Sequence, residues 1–110
     1  MRKCKITVLK RMANQDLIDE YMGDEYMGDE YRTRNVAPCD NLEDGQEFFV
    51  ESPGVPPEGF CAWAWSNIHK EIVAVMSGGD FTPWVKQRGT AIACCTDGFR
   101  PVVFKIERIE

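Results

Sequence analysis

Residues 57–76, PEGFCAWAWSNIHKEIVAVM, show the clearest periodic pattern in the chain. Their apolar side chains recur three and four residues apart, the spacing that places side chains on one face of a helix. That face comprises Cys61, Ala64, Trp65, Ile68, Ile72, Val75 and Met76. Pro57 suits a first helical position, and Gly78 and Gly79 suit a helix end. The pattern therefore predicts a long amphipathic helix over residues 57–76.

Four stretches around this helix alternate apolar and polar residues in the manner of β-strands. The first is residues 3–10, in which Cys4, Ile6 and Val8 share one face. The other three predicted strands are residues 46–51, 90–96 and 101–109.

The order of these elements predicts an α+β fold, in which a small antiparallel sheet has one long amphipathic helix packed on one face. The first and last strands both carry charged residues on their outer faces, so we expect them to lie side by side. Lys5 would then lie opposite Glu107 as a cross-strand pair. A short helix over residues 15–22, capped by Asn14, is expected after the first strand. A chain of 110 residues has room for a single domain, residues 1–110.

The composition limits the partners and the compartment. A formal net charge of −5 argues against nucleic-acid binding, which depends on clustered Lys and Arg. No apolar stretch approaches the ~20 residues that a membrane-spanning helix needs, and no signal peptide is recognisable. The odd number of cysteines, five, argues against a disulfide framework and for a reducing compartment. These features predict a cytoplasmic protein with no nucleic-acid partner and no membrane partner.

Residues 19–31 contain the pentapeptide Asp-Glu-Tyr-Met-Gly twice, followed by a further Asp-Glu-Tyr. A five-residue period fits neither a helix nor a strand and is far shorter than a solenoid repeat. Calcium-binding loops place oxygen ligands at alternating positions around a tight turn, a spacing that this run lacks. The repeat is therefore predicted to be an acidic loop insertion that faces water, with a cation site as the alternative.

The cysteines are the residues that could carry chemistry: Cys4, Cys39, Cys61, Cys94 and Cys95. Zinc and iron–sulfur sites usually use Cys-x-x-Cys pairs, whose short loop lets two sulfurs converge, and the chain has no such pair. A zinc or iron–sulfur site would have to be assembled by tertiary structure alone. Three interpretations stay open: buried structural thiols, a metal or cluster site, and a reactive thiol pair.

The neighbours Cys94 and Cys95 lie in a predicted strand, where adjacent side chains point to opposite faces. One of them is expected to pack beside Ala91 and Ala93, and the other beside Ile92. Unless the strand bends at this point, at least one of the two thiols is then buried and unreactive.

His69 is the only histidine, at the edge of the apolar face of the predicted helix. Eight residues separate it from Cys61, a rise of about 12 Å. This distance is too long for the two side chains to share one metal ion. We expect His69 to be half-exposed, and a cysteine–histidine nucleophile pair with Cys94 or Cys95 is the alternative.

The aromatic residues near the helix are the other candidates for function. Trp63 projects nearly opposite the apolar face, and Phe81 and Trp84 follow the helix in a loop, residues 81–89. An exposed indole at Trp63 would suggest a subunit contact or an apolar ligand. The alternative is that the loop folds back and covers it. The candidate ligand or interface residues are Trp63, Trp84, Phe81 and His69.

Several segments are distinctive: Cys4-Lys-Ile-Thr-Val-Leu-Lys10, Gly59-Phe-Cys-Ala-Trp-Ala-Trp65, Thr90-Ala-Ile-Ala-Cys-Cys-Thr-Asp-Gly98 and Arg100-Pro-Val-Val-Phe-Lys105. With them the chain resembles a family of small, functionally uncharacterised prokaryotic proteins that occur singly or as repeats. The resemblance covers most of the chain except the acidic repeat. It implies a compact cytosolic domain and supplies no catalytic residues.

The sequence contains no acid/base pair, phosphate-binding loop or nucleophile–base motif. We therefore expect a small cytosolic module that acts by binding or self-association, without catalysis of its own. A homo-oligomer is expected, because Trp63 and Trp84 add apolar surface outside the main helical face. The alternative is a cysteine-based metal, iron–sulfur or thiol-redox protein.

Overall fold

The computed structural model describes residues 1–23 and 38–109. The described elements are, in chain order, β1 (Cys4–Arg11), α1 (Gln15–Tyr21), β2 (Glu47–Val50), α2 (Ala62–Met76), β3 (Thr90–Cys94) and β4 (Val102–Arg108). The strands form one antiparallel sheet in the order β2-β1-β4-β3. α2 packs on one face of this sheet. The predicted α+β class is confirmed.

β1 and β4 form the centre of the sheet and are antiparallel neighbours, as predicted. In their register Lys5 lies opposite Glu107, and Nζ of Lys5 is 3.5 Å from a carboxylate oxygen of Glu107. The predicted cross-strand pair is therefore confirmed. Glu47 on β2 lies closer, at 3.0 Å from the same nitrogen. The hydrogen bond to Glu47 is the main reason why the pKa of Lys5 is raised.

β1 changes phase near its C-terminal end. Its register against β4 shifts by one residue between Val8 and Lys10, which marks a β-bulge. Beyond the shift Arg11 pairs with Val102, whose side chain is buried. Because the extra residue reverses the alternation of the strand, Arg11 rather than Lys10 belongs to the face that carries α2.

The hydrophobic core lies between the sheet and α2. The strands contribute alternate residues: Cys4, Ile6, Val8, Phe48, Val50, Ala91, Val102, Phe104 and Ile106. α2 contributes most of its predicted apolar face: Ala64, Ile68, Ile72, Val75 and Met76. Cys61 and Trp65, at the edge of that face, are half-buried against the same core. Each large apolar side chain buried in this way stabilises the fold by about 1.5–3 kcal/mol.

The predicted start of α2 at residue 57 is wrong, because the helix begins at Ala62. Gly59 has a φ of 81°, a left-handed conformation that does not belong in a helix. The amide of Phe60 donates to the carbonyl of residue 57 at 3.1 Å, which closes a turn. Cys61 is extended and occupies the N-cap position. The proline thus opens a turn, whereas the helix end at Met76 agrees with the prediction.

A half-buried guanidinium closes the C-terminal end of α2. Arg108 of β4 donates from Nη1 to the carbonyl of Val75 at 3.0 Å and to that of Gly79 at 3.1 Å. The last carbonyls of a helix lack partners within the helix and carry partial negative charge, so a cation is favourable there. Gly89 lies against this group with a φ of +64°, and a Cβ at this position would be 2.8 Å from Nη2 of Arg108. Any other residue at position 89 would strain the backbone and displace the guanidinium, so glycine is strongly favoured there.

α1 packs beside the turn that joins β3 and β4, where its buried residue Ile18 contacts Met22 and Phe99. Asn14 occupies the N-cap position, but its side chain makes no capping hydrogen bond. The side-chain amide of Asn14 donates instead to the carbonyl of Gly98 at 2.7 Å. The predicted capping role is therefore wrong, and the side chain ties α1 to the turn. Within the described part of the chain, neither helix is long and apolar enough to cross a membrane.

The acidic repeat falls partly outside the described residues. Its first residues, 19–21, belong to the last turn of α1 rather than to a loop. Residues 24–31, and with them the predicted loop and most carboxylates of the alternative cation site, lie outside the described ranges.

Candidate functional site

A cavity of about 340 Å³ opens at the N-terminal end of α2. Its walls come from the segment before β2, the first turns of α2 and the turn after β3. The lining includes three cysteines, a tryptophan, two asparagines, an aspartate and an arginine: Cys39, Cys61, Cys95, Trp63, Asn41, Asn67, Asp97 and Arg100. A concave, mainly apolar pocket of this volume with a few polar groups is typical of a small-molecule site.

The three thiols reach the cavity for different structural reasons. The carbonyl of Cys39 accepts a hydrogen bond of 2.9 Å from Nη1 of Arg11, which fixes this segment against the sheet. Cys61 stands at the cavity because it is the N-cap of α2. Cys95 directly follows β3, and its amide donates to the carbonyl of Val102 at 3.0 Å. The backbone pairing of β3 with β4 thus extends to Cys95.

The adjacent cysteines diverge, as predicted from the strand alternation. Cys95 is half-buried and packs against the core, as does Ala93. Cys94 is exposed, in step with the exposed Ile92. The Sγ atom of Cys95 also accepts a hydrogen bond of 3.3 Å from the amide of Val102. The two sulfurs therefore do not converge on one site.

The fold does not gather the five candidate thiols. Cys4 is fully buried in β1, where desolvation raises the pKa of its thiol to about 11. Neither Cys4 nor the exposed Cys94 lines the cavity. In residues 1–23 and 38–109, no group of three or more His, Cys, Asp and Glu side chains is placed to hold a metal ion.

His69 has a structural role on α2. Its Nε2 donates to the carbonyl of Pro53 at 2.6 Å, and its ring lies 5.5 Å from that of Trp65. The side chain is half-buried, as expected, and it links the segment after β2 to the helix. It is not among the residues that line the cavity. Among the described residues, the contacts of the His69 ring are with Pro53 and Trp65 and none is with Cys94 or Cys95, so the structure gives no support to a nucleophile pair with either thiol.

The two exposed tryptophans lie on different surfaces. Trp63 is 82% exposed at the cavity, so the loop after α2 does not cover it. Trp84 is also 82% exposed and borders a shallow groove with Ile92. Phe81 is half-buried and packs against the core, so it is not available as an exposed contact. The structure thus separates the predicted aromatic candidates into two exposed indoles and one core residue.

The polar groups of the cavity come mainly from the turn after β3. Asp97 Oδ1 accepts the amides of Phe99 at 2.9 Å and Arg100 at 3.3 Å, which holds the turn closed. Asn67 Oδ1 accepts the amide of Thr96 at 3.0 Å and joins the turn to α2. In the described part of the chain, no ion pair involves the guanidinium of Arg100. The side chain can therefore serve a ligand.

The polar residues of this site were not predicted from the sequence. Asn67 lies on a helix and Arg100 after a turn, positions that in a sequence usually indicate solvent-exposed residues. The only signal was the Asp97-Gly98 pair, which predicts a tight turn and hence a place where neighbouring side chains project together.

No protein-family model, curated protein or solved structure matches the chain. The resemblance to a family of small prokaryotic proteins therefore stays a prediction.

Proposed function

We propose that this protein is a small binding and self-association module without catalysis of its own, and that its ligand site is the cavity at the start of α2. The observation that carries the proposal is the cavity of about 340 Å³ with the 82% exposed Trp63 beside it. An exposed indole next to a concave surface offers a large apolar contact at a small cost in side-chain entropy.

The lining defines the class of ligand. Trp63 and the thiols of Cys39, Cys61 and Cys95 form an apolar, polarisable surface. Arg100 supplies a cationic hydrogen-bond donor that forms no ion pair within the described residues. The carboxylate of Asp97 lines the same cavity, but its Oδ1 accepts the backbone amides of Phe99 and Arg100. We therefore propose a compact organic molecule with an apolar body and one carboxylate or other anionic group.

A matched pair of tryptophan variants tests this proposal. The probe is a fragment set of aromatic carboxylates, and the readout is the chemical-shift change of backbone amides in solution. Binding should shift the amides of the first turn of α2 and the turn after β3. Trp63→Ala should weaken binding about tenfold or more, because truncating a central aromatic contact commonly costs over 1 kcal/mol. Trp84→Ala is the control, since Trp84 is equally exposed and lies outside the cavity. Equal effects of both variants, or shifts confined to other surfaces, would contradict the proposed site.

Thiol chemistry is the second candidate function, because three of the five cysteines line one cavity. The test is the ultraviolet–visible spectrum and metal content of anaerobically purified protein, together with its response to mild oxidants. Stoichiometric iron or zinc that Cys95→Ser removes would favour this candidate. A featureless, metal-free protein whose thiol count does not change would favour the ligand-binding module.

We also propose a cytoplasmic location and a homo-oligomeric state. All five cysteines are free thiols, which suits a reducing compartment. The exposed indoles of Trp63 and Trp84 provide apolar surface for a partner. Light scattering at increasing protein concentration tests the oligomeric state, and a constant monomer mass would contradict it.

A further inference from the structure

β3 is an edge strand of the sheet, so half of its backbone polar groups face away from β4. The amide of Arg108 donates to the carbonyl of Gly89 at 2.9 Å, and the amide of Cys95 donates to that of Val102 at 3.0 Å. Residues that bond to the neighbouring strand alternate along an antiparallel pair. The odd-numbered residues from 89 to 95 therefore bond to β4, and the even-numbered residues direct their N–H and C=O groups to the open edge.

The fold covers both ends of this edge and leaves its middle free. Thr90 is only 2% exposed. At the other end, the amide of Thr96 donates to Oδ1 of Asn67. Between them, Ile92 is 42% exposed and Cys94 is exposed. Within residues 1–23 and 38–109, no hydrogen bond uses the outward backbone groups of Ile92 and Cys94.

The two edges of the sheet differ in their protection against strand pairing. Soluble proteins protect edge strands with charged side chains and prolines. The β2 edge has both, since Glu47 bonds to Lys5, Glu51 lies 3.7 Å from Lys3, and Pro53 follows. β3 has the sequence TAIAC, which contains neither a charge nor a proline. The unprotected edge is therefore the one suited to pairing.

We propose that β3 pairs with β3 of a second copy of this chain, which joins two sheets into one continuous antiparallel sheet. The inference rests on the self-association part of the proposed function. Antiparallel pairing of identical strands has two-fold symmetry, so each free group of one copy meets its complement in the other. Because β3 is uncharged, this arrangement places no like charges opposite each other along the strand.

The free groups fix the register of the pairing. Only Ile92 and Cys94 offer outward groups that are not covered, so Ile92 of one copy lies opposite Cys94 of the second copy. The symmetry axis then passes beside Ala93. Two hydrogen-bonded residue pairs supply about four hydrogen bonds, and their Cα atoms lie about 5.5 Å apart. The exposed Ile92 side chain and the neighbouring groove at Trp84 lie next to the new contact.

Covalent capture tests the register directly. In Ile92→Cys, the new thiol faces the native Cys94 of the second copy at a Cα separation that a disulfide can span. Mild oxidation should convert most of the protein to a covalent dimer on a non-reducing gel. Adding Cys94→Ser to this variant should abolish the dimer. Phe49→Cys is the matched control, because Phe49 is 58% exposed on the opposite edge strand and should give little dimer. Equal dimer from both single variants would overturn the proposed pairing.

Sedimentation equilibrium of the full chain separates failure of this surface from failure of self-association. The wild-type protein and Phe49→Lys should both dimerise, whereas Ile92→Lys should raise the dissociation constant about tenfold or more, because it places two like charges in the contact. A dimer that Ile92→Lys leaves unchanged overturns the β3 contact and keeps self-association. A monomer at all concentrations, without covalent capture, overturns both. Circular dichroism confirms that each variant is folded.

Discussion

Arg108 anchors the end of the main helix, and replacing it with methionine gives the most direct test of the fold. Its Nη1 donates to the carbonyls of Val75 and Gly79. A hydrogen bond from a charged donor contributes about 1.5–3 kcal/mol, and a cation at a helix C-terminus about 0.3–1 kcal/mol. Methionine keeps much of the apolar contact of the arginine stem. Because the guanidinium is half-buried and one nitrogen serves both carbonyls, we expect Arg108→Met to lower the free energy of unfolding by about 2–3 kcal/mol.

Urea unfolding followed by circular dichroism measures this loss at pH 7. Arg88→Met is the matched control, since the side chain of Arg88 is 86% exposed and its Nη1 lies 3.5 Å from a carboxylate oxygen of Asp80. An exposed ion pair contributes little, so the control should remain within error of the wild type. A loss of less than about 0.5 kcal/mol in Arg108→Met, or equal losses in the two variants, would refute the role of the guanidinium as the helix anchor.

The contact between Arg108 and Gly89 gives this test a second readout. A Cβ at position 89 would meet Nη2 of Arg108 at 2.8 Å, so Gly89→Ala must displace the guanidinium. Gly89→Ala should therefore cost more in the wild-type background than in Arg108→Met, where the guanidinium is absent. The strain of the positive φ is common to both backgrounds and cancels in the double-mutant cycle. Additive losses would show that the two residues are not coupled.

Two further predictions concern the thiols. From pH 9 to pH 11 the free energy of unfolding should fall by about 2 kcal/mol through Cys4 alone, because the unfolded thiol ionises at its ordinary pKa of 9.0 and the folded thiol holds its proton until about 11. Urea unfolding across this range should show a shallower decline in Cys4→Ala than in the wild type, and equal declines in the two proteins would contradict the prediction. Under native conditions a thiol reagent at pH 8 should label Cys94 first and Cys4 last, because exposure and thiolate fraction set the rate. Mass spectrometry of the labelled protein would contradict this order if Cys95 reacted as fast as Cys94.

The periodic pattern of apolar residues predicted the fold correctly wherever apolar side chains are buried and polar ones are exposed. The apolar face of α2 and the alternating strands follow directly from which side chains must leave water, so their burial agrees with the pattern. The neighbouring placement of β1 and β4 also followed, because both strands carry charge on the same outer face. The start of α2 was not predicted correctly, because proline is common both at the start of a helix and in a turn. The left-handed Gly59 decided between them.

The candidate site was beyond the sequence for a different reason. Cys39, Cys61 and Cys95 are 22 and 34 residues apart in the chain, and only tertiary packing brings them to one cavity. Arg108 was similarly hidden, because alternation assigns a charged residue to a strand without indicating that a long side chain can reach a helix end. Contacts made by long charged side chains produce no periodic pattern in the sequence from which they could be predicted.

The bulge in β1 divides that strand into two halves with opposite parity. Before it, even-numbered residues face the core; after it, the odd-numbered Arg11 faces the same side and holds the carbonyls of Cys39 and Leu42 at 2.9 Å. Leu9 is the supernumerary residue between the halves. Deleting Leu9 would remove the bulge and leave Arg11 paired with the same residue of β4. Deleting a residue between Cys4 and Val8 would instead shift the alternation, so that residues of one half that now face the core would face solvent. β1 thus contains one position that tolerates a change of length and one stretch that does not. The cavity wall at Cys39 and Leu42 depends on Arg11 keeping its present orientation after the bulge.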